Sequence, residues 1–157
     1  MEDTRDRRDD RILRYAAVFF LIGFAVHNAD HIRRGVNSVT PELFVAGNLA
    51  AVVSIVAIVL VLRRHRLAAE VAVLAGFPLA IGFIAAHMLP TWSALSDSFV
   101  DQHVSVFSWV ASLMEIVGAL VLAFAGLAVL RRRRQAASGA TSAFSSTPPP
   151  ARAGGAA

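Results

Sequence analysis

The chain has 157 residues, 56% of them hydrophobic, with a net charge of +4 and a mean hydropathy of +0.59. Cysteine is absent, which excludes a disulfide framework, thiolate metal sites and covalent haem attachment through CxxCH. All fifteen basic residues are arginine, and they flank apolar runs as topology signals do, rather than forming a nucleic-acid patch.

Residues 1–11 form a charged segment that mixes Glu2, Asp3, Asp6, Asp9 and Asp10 with arginines. Tyr15–Val26 then runs without a charge and continues into the polar stretch His27–Ile32. The acidic start and the lack of an A-x-A site predict a retained first span, not a cleaved signal peptide. Gly35 and Asn37 are stop signals, and Pro41 opens a second span at a favourable early-helix position. Leu43–Leu62 is interrupted only by Asn48 and Ser54. The connection Arg63–Arg66 is short enough to make spans two and three antiparallel neighbours. Leu67–Leu89 is broken by Glu70 and His87, with Pro78 expected to kink its middle. Between Pro90 and His103, Trp92, Leu95 and Phe99 recur at roughly helical spacing, which predicts a short amphipathic helix in the interface. Val104–Leu130 carries three serines and Glu115. Residues 135–157, rich in Ala, Ser, Gly and Pro, are expected to be a disordered cytoplasmic tail.

Runs near twenty residues match a hydrocarbon core of about 30 Å. The expected fold is therefore all-α: a polytopic membrane protein whose domain 12–134 is a four-transmembrane-helix bundle, with spans near 12–32, 42–62, 67–89 and 104–130. Twelve arginines lie on one side of these spans, against Arg33 and Arg34 on the other. The positive-inside rule then puts both termini in the cytoplasm and the chain in the inner (plasma) membrane.

Polar residues gather toward the outer side. His27 and His31 are four apart and share a helical face with Gly23 one turn deeper; Asp30 is adjacent. On span four, Asp101, Ser105, Ser108, Ser112 and Glu115 form a stripe that Ala119, Ala123 and Gly126 continue, which reads as the interior face of the bundle. Glu115 lies about 16 Å into that helix, near the midplane. An ionised carboxylate there costs about 2.5–3.5 kcal/mol, so it is expected to be protonated or paired, with Ser112 or Asn48 as partner. The imidazoles of His27, His31 and His87, with His103 as a further candidate, suit Zn, Fe or Cu. Asp30 would orient an imidazole, and Asp30 or Glu115 would act as the catalytic base. His-x-x-x-His alone is a weak motif, and Asn28 stands where a zincin has glutamate. Blander readings stand beside each of these. His27 and His31 would cap a span at the interface, Asp30 would pair with Arg33 or Arg34, His103 would be a loop residue, and Glu115 a structural hydrogen-bond partner. His65, among the inner arginines, reads as an interfacial cation or a spectator.

The strings HNADHIRRG and AAHMLPTWSALSDSF resemble segments of a family of small four-span bacterial membrane proteins with no established activity. The resemblance covers roughly Tyr15 to Arg131; it implies membership and an integral-membrane location, and transfers no catalytic residue. The architecture is also similar to membrane cytochromes with histidines on bundle helices, without a diagnostic motif. Four functions remain open: a metal site for hydrolytic or redox chemistry; b-type haem held by His27 and His87; a small proton-coupled transporter subunit using Glu115; and a non-catalytic scaffold or complex subunit. The partners expected are the lipid bilayer and a homo-oligomer or larger membrane complex, with no nucleic acid.

Overall fold

The computed structural model describes residues 2–35 and 38–145, with side chains described for 7–35 and 38–138. Helix α1 spans Glu2–Arg34, α2 Pro41–Leu62, α3 Ala68–Phe83 and α4 Val106–Ser145. A π-helical turn, Ile84–Met88, continues α3. No strand occurs among the described residues. α1, α2, α4 and the continuous α3 plus π turn, Ala68–Met88, each contain a stretch long and apolar enough to cross a membrane, as the four apolar runs predict.

The helix ends follow the local chemistry. Gly35 closes α1 in the left-handed region (φ 88°), its N–H reaching the carbonyls of His31 and Ile32 at 3.0 and 3.2 Å. Asn37, the other expected stop, lies outside the described residues. Thr40 caps α2 by accepting the Leu43 N–H at 3.2 Å, with Pro41 as the first helical residue. Ser105 does the same for α4, accepting the Ser108 N–H at 3.3 Å.

The structure departs from expectation in three places. α1 begins far upstream of residue 12. α4 runs on to Ser145, into the segment 135–157 expected to be disordered; the stretch after Arg134 starts with Gln135, Ala136 and Ala137, which are good helix formers. Residues beyond 145 lie outside the described part. The connection between the π turn and α4 holds turns and no helix. Its donors are spent elsewhere, on the carbonyls that a helix end leaves open. Asp97 N–H bonds the Ala86 carbonyl and Phe99 N–H the His87 carbonyl, both at 2.9 Å, and the Trp92 indole N–H reaches the Ala85 carbonyl at 2.8 Å. This connection is therefore a cap folded back onto the end of α3.

α4 is the central helix, and glycines set how closely its neighbours approach. A Cβ on Gly23 of α1 would lie 2.6 Å from the Met114 carbonyl oxygen, and one on Gly118 2.8 Å from the Phe20 Cα. On the other side, a Cβ on Gly76 would lie 2.6 Å from the Ala119 oxygen, and one on Gly126 2.6 Å from the Ala69 oxygen. This is backbone-to-backbone packing of the kind that lipid-embedded helices use in place of a hydrophobic driving force. Phe20, Ala69, Ala72, Leu122 and Val129 fill the seam, while Val45, Val52, Ile81 and Phe124 face outward. At the arginine-rich end, Asp9 pairs with Arg132 at 2.7 Å and Asp10 with Arg64 at 3.6 Å.

Candidate metal centre

Two helices bring three imidazoles together at the capped end of the bundle. His27 and His31 arrive from one face of α1, and His87 from the π turn after α3. Each offers a ligand nitrogen, and these nitrogens all lie within 4.8 Å of one another. The His27 and His31 Nε2 atoms are 3.0 Å apart. Two nitrogens on one tetrahedral ion, at about 2.0–2.1 Å each, stand roughly 3.3 Å apart. The ring centroids are separated by 4.6 Å (His27–His31), 5.0 Å (His27–His87) and 5.8 Å (His31–His87). Small side-chain rotations would therefore bring all three nitrogens onto one ion. His27 and His87 are 4% and 3% exposed, so this is not a surface cluster.

The fourth group is a carboxylate. Glu115 Oε2 lies 3.7 Å from His27 Nε2 and has no hydrogen-bond partner among the described residues. The partners expected for it bond elsewhere or not at all. Asn48 donates to the Phe44 carbonyl of its own helix at 2.7 Å, and the Ser112 hydroxyl is itself buried without a partner. His27 Nδ1 is also buried and unpartnered.

The residue that orients an imidazole is Asp97, from the cap. His87 Nδ1–H donates to the Asp97 carbonyl at 3.2 Å, with the Asp97 carboxylate 3.5 Å away, which leaves Nε2 with its lone pair free. Arg34 grips the same carboxylate with two hydrogen bonds of 2.5 and 2.7 Å. Burial of Asp97 opposes its ionisation, but the Arg34 hydrogen bonds and the nearby His87 outweigh it and hold the carboxyl well below the usual carboxylate range. Phe99 completes the cap, packing its ring on His87 at 4.8 Å and under the Arg34 guanidinium at 5.3 Å.

The other sequence candidates fall outside this group. Asp30 is buried, but its carboxylate is bound to Arg33 at 2.8 Å, and no hydrogen bond links it to an imidazole. It serves a strut: the same guanidinium reaches the Ser105 and Ser108 hydroxyls at 3.0 and 3.1 Å and ties α1 to α4. The role expected of Asp30 thus belongs to Asp97, which no sequence spacing marked. His103 is exposed on the cap, away from the cluster. Asp101 sits in the cap, not on the α4 stripe, accepting the Thr91 N–H at 2.6 Å. Ser108, Ser112, Glu115, Ala119 and Ala123 are fully or almost fully buried on α4, as an interior stripe requires.

A cavity of about 610 Å³ adjoins the histidines. It lies between α1, α2 and α3, and His27, His31, His87 and Glu115 all contribute to its wall. Comparison with protein-family models, with curated proteins and with solved structures finds no match, so the functional reading rests on this geometry.

Proposed function

We propose that this protein is a membrane-embedded metalloprotein in which His27, His31 and His87 hold one transition-metal ion. The observation that carries the reading is the convergence of three imidazoles, two of them buried and one half-buried, beside a buried, unpartnered carboxylate. An unpaired carboxylate in hydrocarbon costs about 2.5–3.5 kcal/mol, a cost that a cation beside it would offset. Three protein nitrogens with a further position open is the arrangement of catalytic rather than structural zinc sites, and the same donor set suits iron or copper. An ion so held would supply Lewis acidity for hydrolytic chemistry or, as iron or copper, an electron-transfer centre for redox chemistry. Glu115, beside His27, would accept a proton there, and the Asp97 carbonyl, by holding His87 Nδ1–H, leaves Nε2 free to bind an ion. His27 and His87 pack edge to face at 5.0 Å, with Phe83 and Phe99 against the same rings, a crowding that favours a single ion over a haem plane between them. The arginine split supports placing this end on the outer face of a bacterial plasma membrane.

The test is metal analysis and titration on the full chain purified without a histidine tag. Stoichiometric uptake of zinc or cobalt is expected, with a tetrahedral cobalt spectrum that His27→Ala and His87→Ala each abolish. A chain that takes up no ion at micromolar concentrations, or one whose uptake ignores all three histidines, would overturn the reading.

A further inference from the structure

The glycines of this bundle fall into two groups. Those on the α4 seam are jammed against a neighbour's backbone. Gly47 of α2 and Gly82 of α3 are the opposite: a Cβ on either would meet nothing within 4 Å. Both line the cavity beside the histidines, so helix contact does not demand glycine at either position. What their missing side chains do is leave the cavity wide.

The dimensions of that cavity suggest its occupant. Its wall follows α2 from Leu43 to Val53 and α3 from Leu74 to His87. At 1.5 Å per residue these stretches measure about 15–20 Å, close to half of a hydrocarbon core of about 30 Å. The cavity is thus one leaflet deep. Its volume of about 610 Å³ is that of a site for one small ligand. Of the polar wall residues, His27, Asn28, His31 and His87 lie toward the capped end, and Asn48 stands midway along the α2 wall. Below them the wall is apolar, with Phe24, Val53, Leu74, Pro78 and Leu79. Phe44, Val53 and Leu74 on the rim are exposed, so the cavity opens on the flank of the bundle, where lipid lies. A small-residue wall alone would not make a site. Glu115, 1% exposed, also lines this cavity with an oxygen that nothing else engages.

We propose that this cavity seats the hydrocarbon chain of a single-chain lipid that enters from the adjacent leaflet, with its small polar head against His27, His31 and Glu115. The polarity runs the same way as in the leaflet, head toward the capped end and tail toward the midplane, so the lipid enters without turning over. The proposal deepens the metal-site reading by naming what faces the histidines, but it stands on the cavity and not on the ion.

The experiment measures binding of tritiated palmitate to the full chain in detergent, with metal content determined separately on the same samples. Saturable binding of one palmitate per chain is expected, displaced by unlabelled palmitate and by hexadecanol, but not by butyrate. Gly47→Leu and Gly82→Leu should each weaken it by about tenfold or more, because a leucine side chain takes up space the ligand needs. Thermal unfolding and metal content should hold in both. Val52→Leu, on an exposed position away from the cavity, should leave binding unchanged. Palmitate brominated at carbon 2, beside its head, gives a reading that needs no cavity-filling variant. It should quench wild-type fluorescence saturably, be reversed by unlabelled palmitate, and lose that quenching in Trp92→Phe, which removes the cavity-lining indole. Quenching that does not saturate would count against the site. Non-saturable uptake, equal in wild type and both leucine variants, would mean that palmitate only partitions into the micelle, and would overturn the proposal. Displacement by diacyl phosphatidylglycerol at equal potency would overturn the single-chain assignment. Metal uptake without palmitate binding would sink this proposal and spare the metal reading; palmitate binding without metal would do the reverse.

Discussion

The α4 seam and the α2 flank of this bundle are built from similar residues and behave as opposites. Along α4, glycine and alanine let helices touch backbone to backbone; along α2, they leave a space. The most apolar stretch of α4 is 44% buried within the chain, that of α2 only 22%. Small residues are therefore not evidence of packing in themselves. What they mean depends on whether a neighbouring backbone fills the room they leave. In a bilayer that room can be taken by another helix, at a gain in van der Waals contact, or by lipid, at almost no change.

The capped end should respond most strongly to mutation. Arg34→Ala strands the buried Asp97 carboxylate, and breaking such a pair costs about 3–5 kcal/mol. Thermal unfolding in detergent should register it. Arg34→Leu combined with Asp97→Leu should recover most of the loss, since no charge is then left unpaired. If the single variant is as stable as wild type, the cap is not held by this pair.

The seam should come next, and it gives the sharpest test of the contrast. Gly76→Ala and Gly118→Ala push a methyl group into backbone at 2.6 and 2.8 Å and should cost about 1–3 kcal/mol. Gly47→Ala and Gly82→Ala meet no neighbour and should instead gain about 0.5–1 kcal/mol from helix propensity. Four equal unfolding shifts would erase the distinction between seam and flank.

The smallest effect on folding belongs to Glu115→Gln. The carboxylate oxygen facing His27 has no donor to lose, and a cation beside it offsets the charge that Gln removes, so the stability of the metal-loaded chain should change little. If Glu115 faces a bound ion, the same variant should weaken metal uptake while the optical signature of the three histidines persists. Unchanged uptake would remove Glu115 from the site.

The fold class was legible because hydropathy and length decide it: runs of about twenty apolar residues leave few alternatives. Helical period also placed His27 with His31, and Ser108, Ser112 and Glu115 on one buried face, because residues three and four apart must share a side. The same geometry put Gly23 on the face of His27 and His31. The cap was not legible. Asp97 reaches His87 through a connection whose backbone donors are drawn to the carbonyls at the end of α3, and no local period encodes such a return. For the same reason the spacing of Trp92, Leu95 and Phe99 suggested a helix where none forms. Arg33 and Arg34 entered the sequence argument as the minority in a charge count and as candidate partners for Asp30, a pairing that Arg33 makes. Their work as clamps to Ser105, Ser108 and Asp97 depends on partners some sixty to seventy-five residues away.

The π turn at Ile84–Met88 gives the histidine site an unusual kind of fragility. Ordinary α-helical rise advances each side chain by about 100° around the axis, and a wider turn carries one residue more per revolution. Winding the same residues at the tighter α pitch, with none removed, would carry His87 most of one residue's angle further round the axis, away from its two counterparts. Hydropathy, charge and every ligand would survive that rewinding. The site is thus encoded partly in the width of one turn, and two chains with the same three histidines can differ in whether those histidines ever meet.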